Sequence, residues 1–126
     1  MLKDKIRIGL DAMGGDRITI DDLVTPPHKR AVKGAVHFCN HDDSKVILIG
    51  NRDKIERELS RYHLERRVEI LDAPEVVEMG DSPTKSLEQK PQSSLAMGIE
   101  ALRKNSIDAF VTIGSTGAAV YAASKR

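Results

Sequence analysis

The sequence predicts an α/β protein with an open, mainly parallel sheet and helices on both faces. Four short apolar runs have the length and residue types of strands, and segments with helical periodicity lie between them. Because strands and helices alternate, each helix is expected to join parallel strands by a right-handed crossover. The length of 126 residues is that of one domain.

The predicted strands differ in pattern. Residues 6–10 alternate between apolar and other side chains, as in a strand with two unlike faces. Residues 46–49 form a continuous β-branched and leucine run, which is typical of a strand buried on both faces. Residues 68–71 and 109–113 form the third and fourth strands, and Gly114 closes the last one.

The spacing of apolar residues predicts helices over residues 31–39, 55–62 and 95–104. The first follows two prolines, and Ser93 or Ser94 can cap the last. The stretches 17–25 and 74–90 are predicted to be irregular.

Composition excludes several classes of function. The 20 basic and 19 acidic residues give a net charge of +1, so the basic footprint of a nucleic-acid-binding protein is missing. Aromatic residues make up 3% of the chain and none is tryptophan, so stacking platforms for single strands are missing too. A single cysteine and the lack of an apolar signal or spanning run favour a cytoplasmic protein.

Polar and glycine-rich turns follow the predicted strands, where ligands of open parallel sheets bind. Residues 114–117, Gly-Ser-Thr-Gly, can hold an anion such as phosphate with backbone N–H groups and hydroxyls, or can simply start a helix. Residues 11–16 match neither the dinucleotide nor the P-loop glycine motif, and taken alone favour a tight turn.

Two other features carry little chemistry. His37 and His41, with Asp42 and Asp43 after them, have a spacing that can bind a metal, but no partner cluster accompanies them, so no metal site is predicted. Cys39 falls on an apolar helix stripe, which favours inert packing. No serine, histidine and acid arrangement indicates covalent catalysis.

Taken in order, these segments resemble bacterial phosphate acyltransferase, the acyl-carrier-protein:phosphate acyltransferase of phospholipid synthesis. The resemblance rests on residues 11–16 (DAMGGD), 73–79 (APEVVEM), 81–85 (DSPTK), Lys90 with the 93–94 serine pair, and 108–118. It implies a fold similar to isopropylmalate dehydrogenase and phosphotransacetylase, a homodimer, and no metal or organic cofactor.

The resemblance also implies a reaction, in which inorganic phosphate attacks the thioester of acyl carrier protein to give acyl phosphate. The catalytic candidates are Lys85, Lys90 and Ser115. The phosphate-binding candidates, drawn from the strand-end turns and the resemblance, are Asp11, Gly14, Gly15, Asp16, Asp81, Ser82, Lys85, Ser93, Ser94, Gly114, Ser115, Thr116 and Gly117.

Members of this family are much longer, and they commonly have asparagine at the position of Ser115. The chain is therefore expected to be a single α/β domain over residues 1–126, the N-terminal part of a two-part fold, with little or no activity alone. Membrane contact is expected from a region outside this chain. The alternatives are a non-catalytic paralogue that binds phosphate or a partner, and a phosphotransacetylase-like enzyme for short acyl groups.

Overall fold

Strands and helices alternate through the part of the chain that the computed structural model describes, which comprises residues 5–14, 18–20, 23–62, 68–77, 81–82, 85 and 88–113. In chain order the elements are β1 (Arg7–Asp11), β2 (Ile18–Ile20), β3 (Leu23–Thr25), α1 (Pro27–Cys39), β4 (Lys45–Gly50), α2 (Arg52–Leu59), β5 (Val68–Asp72), α3 (Ser94–Arg103) and β6 (Ala109–Val111).

Four strands form a parallel sheet in the order β5-β4-β1-β6. The predicted fold class and the four predicted strands are confirmed, although the last strand ends at Val111 and not at Ile113. The register pairs Ile8 with Val46 on one side of β1 and with Ala109 on the other.

The prediction that residues 17–25 are irregular was wrong, since β2 and β3 pair as a small antiparallel ribbon. Each strand has only three residues, too few for a period-two pattern to stand out. A local signal was present, because β-branched residues flank the two aspartates at 21–22.

Helices cover both faces of the sheet, and β4 shows why. Its side chains alternate, with Val46 and Leu48 packing into the cluster that includes α1 and α2. Ile47 and Ile49 pack into the cluster on the opposite face, which includes α3. A strand covered on both sides buries every apolar side chain, which explains the continuous apolar run in the sequence.

Two helices begin at side-chain caps. The Asn51 side chain accepts from the Lys54 N–H at 3.1 Å and starts α2 directly after β4. The Ser93 hydroxyl accepts from the Ala96 N–H at 3.2 Å and starts α3, which decides between the two predicted caps. Both helices therefore begin at the carboxyl end of the sheet.

The approach of α3 to the sheet depends on small residues. A methyl group at Gly98 would run into the ring of Phe110 on β6. A methyl group at Gly9 on β1 would lie 2.6 Å from the Cδ1 atom of Ile107. A side chain at Gly98 would push α3 away from the sheet, and one at Gly9 would displace Ile107, which lies between α3 and β6.

At the amino end of the sheet, Asp108 joins β6 to β1. Its carboxylate accepts from the Arg7 N–H at 2.8 Å, and its own N–H donates to the Arg7 carbonyl at 2.8 Å. Within the described residues, no helix has the length and apolar character needed to cross a membrane.

Candidate functional site

The strand order reverses at β1. The chain places β4 and β5 on one side of β1 and then crosses the sheet to place β6 on the other. In open α/β sheets the carboxyl ends of strands at such a switch point form the ligand-binding crevice. The ends of β1 and β6 and the start of α3 are therefore where a site is expected.

Asp11, the last residue of β1, joins these elements. Its Oδ1 atom accepts from the Met13 N–H at 3.0 Å, the Gly14 N–H at 2.9 Å and the Ser94 hydroxyl at 2.6 Å. Its Oδ2 atom accepts from the Thr112 hydroxyl at 2.7 Å. The residue is only 4% exposed. One carboxylate thus connects β1, the turn after it, the start of α3 and the residue following β6.

The position of Asp11 is favourable for its charge. Four hydrogen bonds satisfy the approximate acceptor capacity of a carboxylate, and bonds to an ionised acceptor are stronger than neutral ones. Ser94 is the first residue of α3, so the carboxylate also lies at the end of the helix where the macrodipole favours an anion. The negative charge already present means that a phosphate bound nearby needs cations to offset it.

A second cluster lies before α3, around Lys90. Its Nζ atom donates to the Asp81 carboxylate at 2.6 Å and to the Val76 carbonyl at 2.7 Å. Nearby, the Glu75 carboxylate accepts from the Gln92 N–H at 2.9 Å, and the Glu75 N–H donates to the Gln92 carbonyl at 3.2 Å. These contacts connect the segment after β5 to the start of α3.

We expect Lys90→Met to loosen this connection. The variant loses two hydrogen bonds of a charged donor, each worth roughly 1.5–3 kcal/mol when buried and less for an ammonium group that is partly exposed. Hydrogen exchange at the Glu75 and Gln92 amides should accelerate about tenfold, while exchange at Leu48 should stay unchanged. Lys104→Met, on the exposed end of α3, is the control; equal exchange rates in both variants would contradict the assigned role.

The structure brings together part of the predicted site. Asp11, Gly14 and Ser94 meet at the switch point, and Ser93 lies beside them as the cap of α3. Asp81 and Lys90 form an ion pair, and Ser82 and Lys85 are exposed. The remaining candidates lie outside the described residues: Gly15, Asp16, Gly114, Ser115, Thr116 and Gly117. A common anion pocket for all of them stays a prediction.

Sequence reasoning missed two contributors to this region. Thr112 was treated only as part of the last strand, although a hydroxyl at a strand end was a usable signal. Gly50, the last residue of β4, was not among the predicted site residues. A methyl group there would lie 2.6 Å from the Met13 Cγ atom, so Gly50 makes room for Met13 over the end of β4.

The metal and thiol candidates have ordinary surroundings. The rings of His37 and His41 lie 4.7 Å apart at a tilted angle. Among the residues that the structure describes, no group of three or more histidine, cysteine, aspartate or glutamate side chains could hold a metal ion. Cys39 is buried in the cluster beneath α1, as predicted.

Comparisons with known proteins all point to one family. Residues 6–126 match the model of a family described as fatty acid synthesis protein. Relatives named phosphate acyltransferase include one from Caldicellulosiruptor saccharolyticus, 37% identical over 90% of this chain and 32% of its own length. The relative from Dictyoglomus turgidum is 34% identical over 94% of this chain and 33% of its own length. The relative from Crocosphaera subtropica is 33% identical over 100% of this chain and 34% of its own length. The chain spans about a third of the length of these curated relatives.

Proposed function

We propose that the whole protein transfers an acyl group from acyl carrier protein to inorganic phosphate, because the chain belongs to the fatty acid synthesis protein family and its relatives are named phosphate acyltransferase. A phosphate oxygen attacks the thioester carbonyl carbon and forms the new C–O bond. The C–S bond then breaks, and the carrier leaves as a thiolate that takes up a proton. The products are acyl phosphate and free carrier, so no oxidant or reductant is needed.

The observation that carries the proposal is the Asp11 junction at the strand switch point. By accepting from the Met13 and Gly14 N–H groups, Asp11 fixes the start of the turn after β1. By accepting from Ser94 and Thr112, it holds that turn against α3 and the end of β6. Asp11 thereby acts as a positioning residue for the crevice in which phosphate would lie.

Phosphate itself would be held by the Ser115 and Thr116 hydroxyls with neighbouring backbone N–H groups. Lys85 is exposed and would supply the offsetting charge, whereas the Lys90 ammonium group already contacts Asp81. One donor aimed at the developing oxyanion lowers the barrier by about 3–4 kcal/mol, and orientation of the reactants contributes several kcal/mol more. Both effects need a closed crevice, so we expect little or no turnover from these 126 residues alone.

The test uses a chimera in which residues 6–126, which match the family model and include Ser115 and Thr116, replace the matching segment of the Caldicellulosiruptor saccharolyticus relative. With acyl carrier protein thioester and phosphate, we expect thiol release and an acyl phosphate that hydroxylamine traps as a hydroxamate. Lys85→Met should lower kcat/KM for phosphate about tenfold or more, and Lys104→Met should not. Turnover by the isolated chain would contradict the expectation of inactivity.

A chimera that folds, by circular dichroism and gel filtration, but releases no thiol in response to phosphate would contradict the proposal. Preference for a short acyl donor over a long one would favour the phosphotransacetylase-like alternative. We further propose that the protein is cytoplasmic and forms a homodimer; sedimentation of the chimera and of the isolated chain tests the dimer.

A further inference from the structure

A cleft lined mainly by positive side chains lies between α1 and α2, the helices that cover the face of the sheet opposite α3. Its volume is about 340 Å³. The charged residues lining it are Lys29, Arg30, Lys33, Glu58 and Arg61. Among the described residues, four positive side chains and one carboxylate thus line the cleft, in a chain whose overall net charge is only +1.

The Glu58 carboxylate makes only long ion pairs with the cations around it. The Glu58 side chain is 7% exposed, and its Oε1 atom lies 3.8 Å from both the Lys29 Nζ atom and the Arg61 Nε atom. At that separation each ion pair is longer than a hydrogen bond. Lys33 has no carboxylate within 4 Å among the described residues. Lys29, Lys33 and Arg61 thus keep donors for a further acceptor.

Arg30 is held in place at the edge of the cleft. Its Nη1 atom donates to the Thr25 carbonyl at 3.0 Å, which fixes the guanidinium group near the start of α1. A guanidinium that is already ordered loses less side-chain entropy when it binds an anion.

The positive field extends beyond the cleft to His28 on α1. Burial is the largest cause that lowers the pKa of His28 below its ordinary value, and the positive charge of Lys54 is the next. Lys29 and Arg57 lower this pKa further, while Glu58 opposes them. Burial disfavours a charge of either sign, so the positive field around His28 is shown only by the contributions of Lys54, Lys29 and Arg57.

We propose that the α1–α2 cleft binds a phosphate group, carried by a small organic phosphate or diphosphate or by the headgroup of an anionic lipid. Phosphate oxygens accept charge-assisted hydrogen bonds from lysine and arginine. The concave shape and the volume, at the lower end of the range for small-ligand sites, fit a compact anion better than an acidic peptide. None of the lining residues belongs to the switch-point site, so this proposal does not depend on acyl transfer.

The test follows amide shifts in ¹H–¹⁵N spectra of the 126-residue chain at constant ionic strength, with pyrophosphate as the soluble probe. Phosphatidylcholine vesicles with and without phosphatidic acid are the lipid probe. Lys33→Gln with Arg61→Gln should weaken binding about tenfold or more, since two cations are lost. Lys5→Gln with Lys104→Gln removes the same charge elsewhere and should change binding less than about twofold.

Pyrophosphate shifts confined to α1 and α2 would identify a soluble ligand, and binding only to phosphatidic acid vesicles would identify a lipid headgroup. Equal affinity in the two double variants, or shifts spread over all lysines, would overturn the proposal. Binding of poly-glutamate at the cleft without either phosphate probe would overturn it as well. Lys33→Gln alone keeps both Glu58 ion pairs, so it provides the same comparison if the double variant does not fold.

Discussion

Asp11→Ala should lower the free energy of unfolding by about 3–5 kcal/mol, because buried donors that lose their acceptor cost roughly 1–3 kcal/mol each. The change leaves the Met13 and Gly14 N–H groups and the Ser94 and Thr112 hydroxyls without their acceptor. A small domain has only about 5–15 kcal/mol of stability in total. Urea unfolding followed by circular dichroism measures the loss.

Asp43→Ala is the matched control, because this aspartate is 78% exposed and pairs with Lys5 at the surface. Its cost should stay below about 1 kcal/mol. Asp11→Asn should fall between the two, at about 1–2 kcal/mol, since the amide oxygen can replace Oδ1 and the amide nitrogen can donate to Thr112. If Asp11→Ala and Asp43→Ala cost the same, Asp11 does not hold the switch point together.

Gly98→Ala should destabilise the protein by about 1–3 kcal/mol, because the new methyl group would meet the Phe110 ring between α3 and β6. The ring must turn or the helix must move away from the sheet. Gly34→Ala on α1 is the control, since a methyl group there has no atom within 4 Å. It should stabilise the protein by roughly 0.5–1 kcal/mol through helix propensity alone.

The two alanine substitutions should therefore change the free energy of unfolding in opposite directions, and both thermal and urea unfolding measure this difference. Phe110→Leu combined with Gly98→Ala should recover part of the loss, because the smaller side chain clears the space. If Gly98→Ala stabilises the protein as much as Gly34→Ala, the close approach of α3 to the sheet is wrong.

The elements could be predicted because local patterns encode them. The run at 46–49 marked a doubly covered strand, and the serine pair at 93–94 marked the start of α3. The contacts of the site could not be predicted, because Ser94 and Thr112 lie 83 and 101 positions from Asp11 along the chain and meet it only in the folded protein. A periodicity of two or 3.6 residues carries no information on which distant hydroxyl faces a given carboxylate.

The role of glycine shows the same limit. Gly98 interrupts a helical pattern and by propensity alone would weaken α3. Glycine is needed at this position because the ring of Phe110, on another element, lies against it in the folded protein. The three-residue strands β2 and β3 were missed for a different reason, since their signal is shorter than the window needed to recognise it.

The central place of β1 has a consequence for biosynthesis. Its β6 neighbour is joined through Arg7 and Asp108, which lie 101 positions apart. At about 5–20 residues per second, the ribosome needs roughly 5–20 s to deliver that partner. During this interval the edge of β1 that pairs with β6 has unpaired backbone groups. A nascent chain of this protein therefore exposes a pairing edge to chaperones and to neighbouring polysomal chains until translation of β6 is complete.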